Sequence, residues 1–276
     1  MRTRRARKIV LNAVALLVFA VMVFPVFWMV STAFKPGSEI FANTPVWIPY
    51  HPTLSNFGDA IHRPHFWADV KNSLIIVGAV VAMSLVLAFL AALALAKFRF
   101  YGRRAFIVLI IGVQMIPLNA LIIPIYLVLS KANQVNTLTG VIVTYLTFVL
   151  PFTVWTLRGF MLGVPKDLEE ASQVDGTTRF GAFLRILLPL IGPGLVATSI
   201  FAFIQAWNEF IMAYVLLHDP SKQTLTVWLA SFTGDRGTAW GPLMAGATLT
   251  ALPVVIFFVA VQRKIAFGLT AGAVRG

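Results

Sequence analysis

Six runs of the 276-residue sequence contain no Asp, Glu, Lys or Arg, and each is 23 to 26 residues long. A helix needs about 20 apolar residues to cross the hydrocarbon core of a bilayer. The runs are residues 9–34, 72–96, 105–130, 132–157, 186–208 and 237–262. They predict an all-α, polytopic membrane protein with six transmembrane helices. We expect the fifth helix to continue to Leu217, with Glu209 inside it.

Composition supports a membrane protein and removes several functional classes. Only 12% of the residues are charged and the mean hydropathy is +0.85, whereas soluble domains carry about 25% charged residues. The net charge of +12 would suggest nucleic acid in a soluble chain, but here the basic residues flank the apolar runs, so we expect no nucleic-acid partner. The absence of cysteine excludes disulfides, thiolate metal sites and cysteine nucleophiles.

The distribution of Lys and Arg predicts the orientation, because cytoplasmic loops of membrane proteins are enriched in these residues. With the N-terminus inside, 16 of the 22 basic residues fall on one side of the membrane. The other six are Lys35, Arg63, Lys71, Lys131, Lys222 and Arg236. Both termini are therefore predicted to be cytoplasmic. The first run is too long for the apolar part of a signal peptide, and we interpret it as an uncleaved first span.

These spans divide the chain into three predicted parts. Residues 1–8 form a cytoplasmic N-terminal tail, residues 9–264 a six-span membrane domain, and residues 265–276 a cytoplasmic C-terminal tail. A polar cassette at residues 165–189 interrupts the membrane domain between the fourth and fifth spans.

Polar and proline residues concentrate in the third to sixth spans, which indicates where a polar solute would pass. The candidate pathway residues are Gln114, Asn119, Gln205, Asn208 and Glu209. Helical spacing would place residues 205, 208 and 209 on one face. Hydrogen bonding between packed helices is the alternative interpretation of these residues.

No motif for catalysis or metal binding is present. The sequence contains no Walker A motif, no H-E-x-x-H and no G-x-S-x-G. His51, His62 and His65 lie in the first outer loop, where His62 and His65 are three apart and could share one face of a turn. A metal site normally needs three or four ligands, and no cysteine or well-spaced carboxylate joins these two. We therefore expect no catalytic residue, no metal site and no cofactor in this chain, and no enzyme activity of its own.

The cassette reads as two short helices joined by a glycine turn. Acidic residues fill the first turns after Pro165, where the helix dipole favours negative charge. Gly176 stands where a helix ends and can adopt a left-handed conformation. Thr177 or Thr178 can cap the next helix, whose apolar face leads into the fifth span. A rigid helix that projects from the membrane is suited to docking into a groove of a partner.

The cassette resembles the EAA motif of bacterial ABC-importer permeases. The matching residues are Glu170, Ala171, Ser172, Gly176, Ile186, Leu188 and Pro189, and Ser172 replaces the usual alanine. The segments TPVWIPYHPTLSNF and WNEF and the ending GLTAGAVRG are similar to the carbohydrate-uptake, MalG-like members. The resemblance covers nearly the whole chain.

The resemblance implies a permease subunit in a bacterial inner membrane that imports a sugar or sugar-like solute. The cassette would be a cytoplasmic coupling helix, and Glu170, Ala171, Ser172, Asp175 and Gly176 would contact the ATPase. The implied partners are a second homologous permease, two cytoplasmic ATPase subunits that bind ATP and Mg, an external solute-binding protein and membrane lipid. One alternative is a secondary transporter that uses Glu209 as a proton site. An intramembrane enzyme is another, but the sequence lacks a catalytic pair.

Overall fold

The computed structural model describes the backbone of residues 2–235 and 237–273. It describes the side chains of residues 7–262, except those of Lys166, Glu169, Arg179 and Arg236. Predictions that concern the charges of Arg2, Arg4, Arg5, Lys166, Arg179, Arg236, Arg263, Lys264 and Arg275 therefore lie outside the described side chains.

The described chain is almost entirely helical. In chain order, the α-helices are α1 (Arg2–Ala33), α2 (Gly37–Ile40), α3 (Ser55–Ile61), α4 (Phe66–Lys97), α5 (Arg103–Gln114), α6 (Ile122–Lys131), α7 (Leu138–Leu162), α8 (Lys166–Val174), α9 (Arg179–Ala182), α10 (Leu188–Leu190), α11 (Gly192–Asn208), α12 (Ile211–Leu216), α13 (Leu225–Ala230) and α14 (Trp240–Ala273). Two 3-10 turns (Leu118–Leu121, Pro220–Lys222), one π-helical turn (Phe183–Leu187) and a two-stranded antiparallel hairpin (β1 Thr233–Gly234, β2 Gly237–Thr238) complete it.

Four stretches are long and apolar enough to cross a membrane as single helices, namely Arg7–Ala33, Phe66–Lys97, Leu138–Leu162 and Trp240–Gln262. Two further pairs of helices pass the same test but are bent, by 95° between Arg103–Gln114 and Leu118–Lys131, and by 61° between Phe180–Leu190 and Gly192–Asn208. The six predicted spans are recovered when each bent pair counts as one span.

The third span is kinked, as its prolines indicate, whereas the fifth is not the continuous helix that we expected. The third breaks before Pro117, which has no N–H to continue a helix and whose ψ of 127° is extended. The fifth bends at Ile191, and its helix ends at Asn208 rather than continuing to Leu217. Proline is also present in the fourth and sixth spans, but Pro151 and Pro253 lie inside continuous helices, so neither proline interrupts its span.

Residues 1–66 and 228–252 form one compact unit, and residues 67–227 and 253–276 form another. In the first unit, buried Asn56 donates from Nδ2 to the carbonyl oxygens of Ala33 (3.0 Å) and Lys35 (2.8 Å). The Nζ atom of Lys35 lies 4.0 Å from the centroid of the Trp28 ring. Burial lowers the pKa of Lys35, and the charge of Glu39 opposes that shift only partly.

The second unit contains the cassette and most of the polar candidates. Helix α7 packs against α11, and a cluster of buried apolar residues lies beneath the cassette. Its members are Ala88, Ala92, Leu95, Ala96, Val154, Leu157, Met161, Val164, Leu187 and Ile191. Small residues on α4 allow close packing here, and Gly194 of α11 has its Cα so near the Phe160 ring that a Cβ would lie 2.5 Å from it.

Candidate coupling site and pathway residues

The cassette folds as the sequence predicts, as a short helix, a glycine turn and a second helix. Helix α8 begins after Pro165, and Gly176 has a φ of +88°. Residues other than glycine rarely adopt this backbone conformation. The chain can reverse direction here because residue 176 carries no Cβ. Thr178 caps the second helix, since its Oγ1 accepts a hydrogen bond from the N–H of Gly181 (3.1 Å).

Ser172 and Thr177 lock the turn from inside. The N–H of Thr177 donates to the carbonyl oxygen of Ser172 (3.1 Å), and the Thr177 hydroxyl donates to the same oxygen (2.7 Å). The two hydroxyl groups also hydrogen-bond to each other. Ser172 is only 7% exposed. The serine in place of the usual alanine therefore does more than fill a small space, because its hydroxyl group links both sides of the turn.

The other four predicted coupling residues are on the surface. Glu170, Ala171, Asp175 and Gly176 are exposed, and Ser172 is the buried one of the five. Among the described residues, the Glu170 carboxylate has neither an ion-pair nor a hydrogen-bond partner. Exposed apolar side chains surround it along the chain, with Val174 87% and Phe180 69% exposed. The structure thus brings a carboxylate without a partner among the described residues, together with apolar side chains, to the surface of one helix–turn–helix.

A cavity of about 680 Å³ lies between this element and the end of α4. Glu170, Gln173, Phe180 and Phe183 line one side of it, and Phe89 and Lys97 belong to α4. The rings of Phe89 and Phe183 meet edge-on at 5.5 Å. This ring contact joins α4 directly to the π-helical turn Phe183–Leu187 that follows α9.

Glu209 occupies the break in the fifth span and not the face of a helix. Its backbone is extended, with φ −68° and ψ 129°, so the expectation that it shares a helical face with Gln205 and Asn208 is wrong. Its carboxylate accepts hydrogen bonds from the N–H groups of Met212 (2.8 Å) and Ala213 (3.1 Å). Glu209 thus satisfies two of the free N–H groups at the start of α12.

The remaining candidate pathway residues are exposed in the single chain. Gln114 ends α5 at the bend of the third span, and Asn119 lies in the 3-10 turn that follows. Gln205 and Asn208 lie on the last turn of α11. Gln205 and Asn208 share a helix, whereas Gln114 and Asn119 lie on other elements, and the role of all four residues in transport stays a prediction.

A second polar cluster, which the sequence did not reveal, is centred on Asn136. Its Oδ1 accepts from the N–H groups of His218 (3.2 Å) and Asp219 (3.0 Å), and its N–H donates to the carbonyl of Leu216 (2.8 Å). Asn136 has a φ of 60°, which asparagine tolerates better than most residues. In the sequence, Asn136 is recognisable only as an asparagine before Thr137, which caps the N-terminus of α7. This pattern does not identify partners more than 80 positions away.

Broken spans and an exposed helix–turn–helix define a membrane protein of the transport class, because interrupted helices within a membrane are typical of transporters. The family described as "binding-protein-dependent transport system inner membrane component" matches residues 84–270. The chain belongs to this family, whose members are membrane permeases rather than enzymes.

Curated relatives match over nearly their whole length. The chain is 47% identical over 265 residues to the diacetylchitobiose uptake system permease protein DasC of Streptomyces coelicolor, and the match covers 96% of each chain. It is 33% identical over 279 residues to the trehalose/maltose transport system permease protein MalG of Thermococcus litoralis, and 100% of each chain is covered. This chain is therefore a permease subunit of an ABC importer, as the cassette predicted, and nothing in the comparisons favours a secondary transporter.

The same fold occurs in a solved structure. A chain from the crystal structure of a bacterial ABC transporter involved in the import of the acidic polysaccharide alginate superimposes with a TM-score of 0.80. The two chains are 24% identical, and the match covers 95% of this chain and 98% of that chain. The two chains therefore share the same overall fold.

Proposed function

We propose that this permease imports a sugar or a sugar-like oligosaccharide. The main support is the match with a diacetylchitobiose uptake permease, at 47% identity over 96% of both chains. Other relatives are named for trehalose and maltose or for arabinooligosaccharides. The match covers nearly the whole of both chains, so we expect the two proteins to share a class of solute.

The exposed helix–turn–helix carries the second part of the proposal. Glu170, Ala171, Asp175 and Gly176 form the surface that docks into a cytoplasmic ATPase subunit, and Ser172 holds that surface in shape from beneath. A charged group that is paired across an interface is desolvated and aligned there, so Glu170 would meet a basic side chain or backbone donors of the ATPase. ATP and Mg bind to the partner subunits, and this chain converts their closure into movement of its spans.

The complete importer would contain this chain, a second homologous permease, two ATPase subunits and an external solute-binding protein. Both termini and the cassette would face the cytoplasm. The support is the excess of basic residues on that side, 16 of 22, together with the family description as an inner membrane component. Reporter fusions at Gly58 and Thr233 should report the outer side, and fusions at Gly102 and Gly176 the cytoplasm. A cytoplasmic signal from Gly58 would reject this orientation.

The test of coupling compares three forms of the assembled importer, namely the parent, Gly176→Asp and Gly176→Asn. Asparagine tolerates a positive φ and adds no charge, whereas aspartate adds a charge where the ATPase must approach. We expect the Asp variant to lose ATPase subunits during purification and to lose hydrolysis that responds to solute, while the Asn variant keeps both in part. Solute binding by the external protein should not change. An Asp variant that retains the ATPase and full solute-stimulated hydrolysis would reject the cassette as the coupling element.

A further inference from the structure

A groove of about 590 Å³ lies on the second unit, between α6 and the segment that runs from α12 to residue 223. Its polar lining consists of Tyr126, Tyr214, His218 and Gln223, and Ile123 and Leu127 add apolar surface. The volume lies within the range of about 300–1,000 Å³ that is typical of sites for small molecules. None of the residues named in its lining is Asp, Glu, Lys or Arg.

The aromatic rings in the groove are open for stacking. Tyr126 and His218 meet edge-on, with ring centroids 6.3 Å apart and an angle of 82°. Tyr214 is 60% exposed, and its ring is supported on one side by Phe210 at 5.5 Å and 24°. Among the described residues, no hydrogen-bond partner is found for the side chains of Tyr126, Tyr214, His218 or Gln223. Their hydroxyl, imidazole and amide groups therefore remain available to a ligand.

Hydrogen bonds hold in place the parts of the groove wall that come from α12 and from residues 218–223. Asn136 holds the backbone of residues 218 and 219, as described above. Asn72 donates from Nδ2 to the carbonyl oxygens of Ser221 (3.0 Å) and Gln223 (3.1 Å). Glu209 caps α12, the helix that presents Tyr214. Fixed walls with unpaired side chains are what a binding site requires, because little ordering entropy is lost when the ligand binds.

We infer that this groove is a contact site for the solute on this subunit and that it receives a pyranose ring of a neutral saccharide. The C–H faces of such a ring pack on aromatic side chains, and its hydroxyl groups both donate and accept hydrogen bonds. The tyrosine, histidine and glutamine side chains offer both kinds of hydrogen-bonding group without a charge. The inference rests on the proposed solute class, and it assigns residues that the sequence-based pathway set does not contain.

The test uses the assembled importer in liposomes with saturating binding protein, and diacetylchitobiose, trehalose and maltose as probes. The variants are Tyr214→Ala, Tyr214→Phe and Gln223→Ala. Tyr101→Ala serves as the matched control, because Tyr101 is a fully exposed tyrosine in the loop between α4 and α5. An aromatic contact is worth about tenfold at most when its stacking is lost. We expect Tyr214→Ala to slow uptake of the transported probe by roughly 3–10-fold, Tyr214→Phe and Gln223→Ala to slow it less, and Tyr101→Ala to leave it unchanged.

Three outcomes would overturn this inference, and they differ from one another. Uptake by Tyr214→Ala and Gln223→Ala at the rate of the parent would remove the groove from the solute path. Loss of the second permease from both purified variants would make the groove a subunit interface. A parent importer that takes up none of the probes, while its ATPase responds to the binding protein with a non-saccharide solute, would reject the proposed solute class and the inference with it. Slower uptake with intact assembly and an unchanged Tyr101→Ala control would support the groove alone.

Discussion

The polar side chains of two regions in the second unit differ in their hydrogen-bond partners. In the Asn136 corner, which comprises Asn72, Asn136, Glu209 and the backbone of residues 218–223, the side chains of Asn72, Asn136 and Glu209 bond to the backbone of the same chain. In the cassette, the internal hydrogen bonds of Ser172 and Thr177 lie beneath the surface, and Glu170 remains exposed and without a partner among the described residues. The side chains of the corner therefore connect segments of this chain, whereas the Glu170 carboxylate makes no such contact with the described residues.

The contrast has a physical origin in the chain geometry. The corner joins segments that lie far apart in the sequence, such as Asn136 and Asp219, and hydrogen bonds from side chains and backbone hold these segments together. The cassette is a local hairpin of helices, and its shape follows from one glycine and one pair of hydroxyl groups. A local element needs few internal bonds, so its surface remains free for recognition. If this account is right, stability and coupling should be lost by different substitutions.

The largest loss of stability is expected at Asn136. Replacement by alanine removes two accepted hydrogen bonds, worth about 1 kcal/mol each, and leaves a residue that tolerates φ > 0 poorly, which costs roughly 1–2 kcal/mol more. Asn136→Ala should therefore destabilise the purified importer by about 3 kcal/mol, and Asn136→Gly by less, because glycine adopts this φ freely. Denaturant unfolding gives the free energies, and amide hydrogen exchange should accelerate at residues 218 and 219. Equal stability of the alanine variant and the parent would contradict the stabilising role of Asn136, and with it the contrast between the corner and the cassette.

Glu209 should give the second largest loss. Glu209→Ala leaves the N–H groups of Met212 and Ala213 without their acceptor, and the loss of a helix cap costs about 0.5–2 kcal/mol. Glu209→Gln keeps one acceptor oxygen and should lose less. Faster hydrogen exchange at residues 212 and 213 would locate the effect, and ATP-driven uptake should persist in the Gln variant. Complete loss of uptake by Glu209→Gln, together with uptake by the parent that follows a proton gradient without ATP, would instead restore the secondary-transporter alternative.

The sequence predicted those features that depend on composition or on local geometry. Absence of charge located the spans, and the spacing from Glu170 to Gly176 predicted a helix and a turn, because both features are decided within a few residues. The prolines of the third span indicated a kink there, but the sharpness of that bend and the end of the fifth helix at Asn208 were not predicted. Proline alone is a poor guide, because Pro151 and Pro253 lie inside helices that continue. Whether a helix breaks depends on which neighbours satisfy the freed backbone groups.

The groove and the corner could not be predicted for a different reason. Tyr126 and His218 are 92 positions apart, and their contact is created by packing between helices rather than by any local pattern. The candidate pathway residues taken from the sequence were polar residues inside apolar runs, among them Gln114 and Asn119. These residues are conspicuous in a sequence because their neighbours are apolar. Aromatic residues such as Tyr126 and Tyr214 are not, because aromatic side chains are common in the spans.

A smaller effect on stability is expected for the hydrogen bonds between Ser172 and Thr177 beneath the surface of the cassette. Thr177→Val removes the hydrogen bond to the Ser172 carbonyl and the bond between the hydroxyl groups, at about 1–2 kcal/mol of local stability. Ser172→Ala removes only the second of these and should cost about half as much. Hydrogen exchange across residues 172–178 measures both, with Thr178→Ala as a control that affects the next helix through the N–H of Gly181. A larger effect of Ser172→Ala than of Thr177→Val would contradict the described arrangement.

The smallest effect on stability, and the one that most sharpens the comparison, belongs to Glu170. Its exposed carboxylate has no partner among the described residues, so Glu170→Ala should change the free energy of unfolding by less than about 0.5 kcal/mol, as surface substitutions usually do. The same variant should weaken retention of the ATPase during purification and reduce solute-stimulated hydrolysis, because a charged group that is paired across an interface commonly contributes 2 kcal/mol or more, which is roughly a 30-fold change in affinity. Asp167→Asn is the matched control, since it removes one negative charge from the same helix outside the motif. Co-purification, coupled hydrolysis and unfolding are measured on the parent and both variants. A loss of stability without a loss of ATPase would place Glu170 with the residues of the Asn136 corner, and the distinction between the two regions would fail.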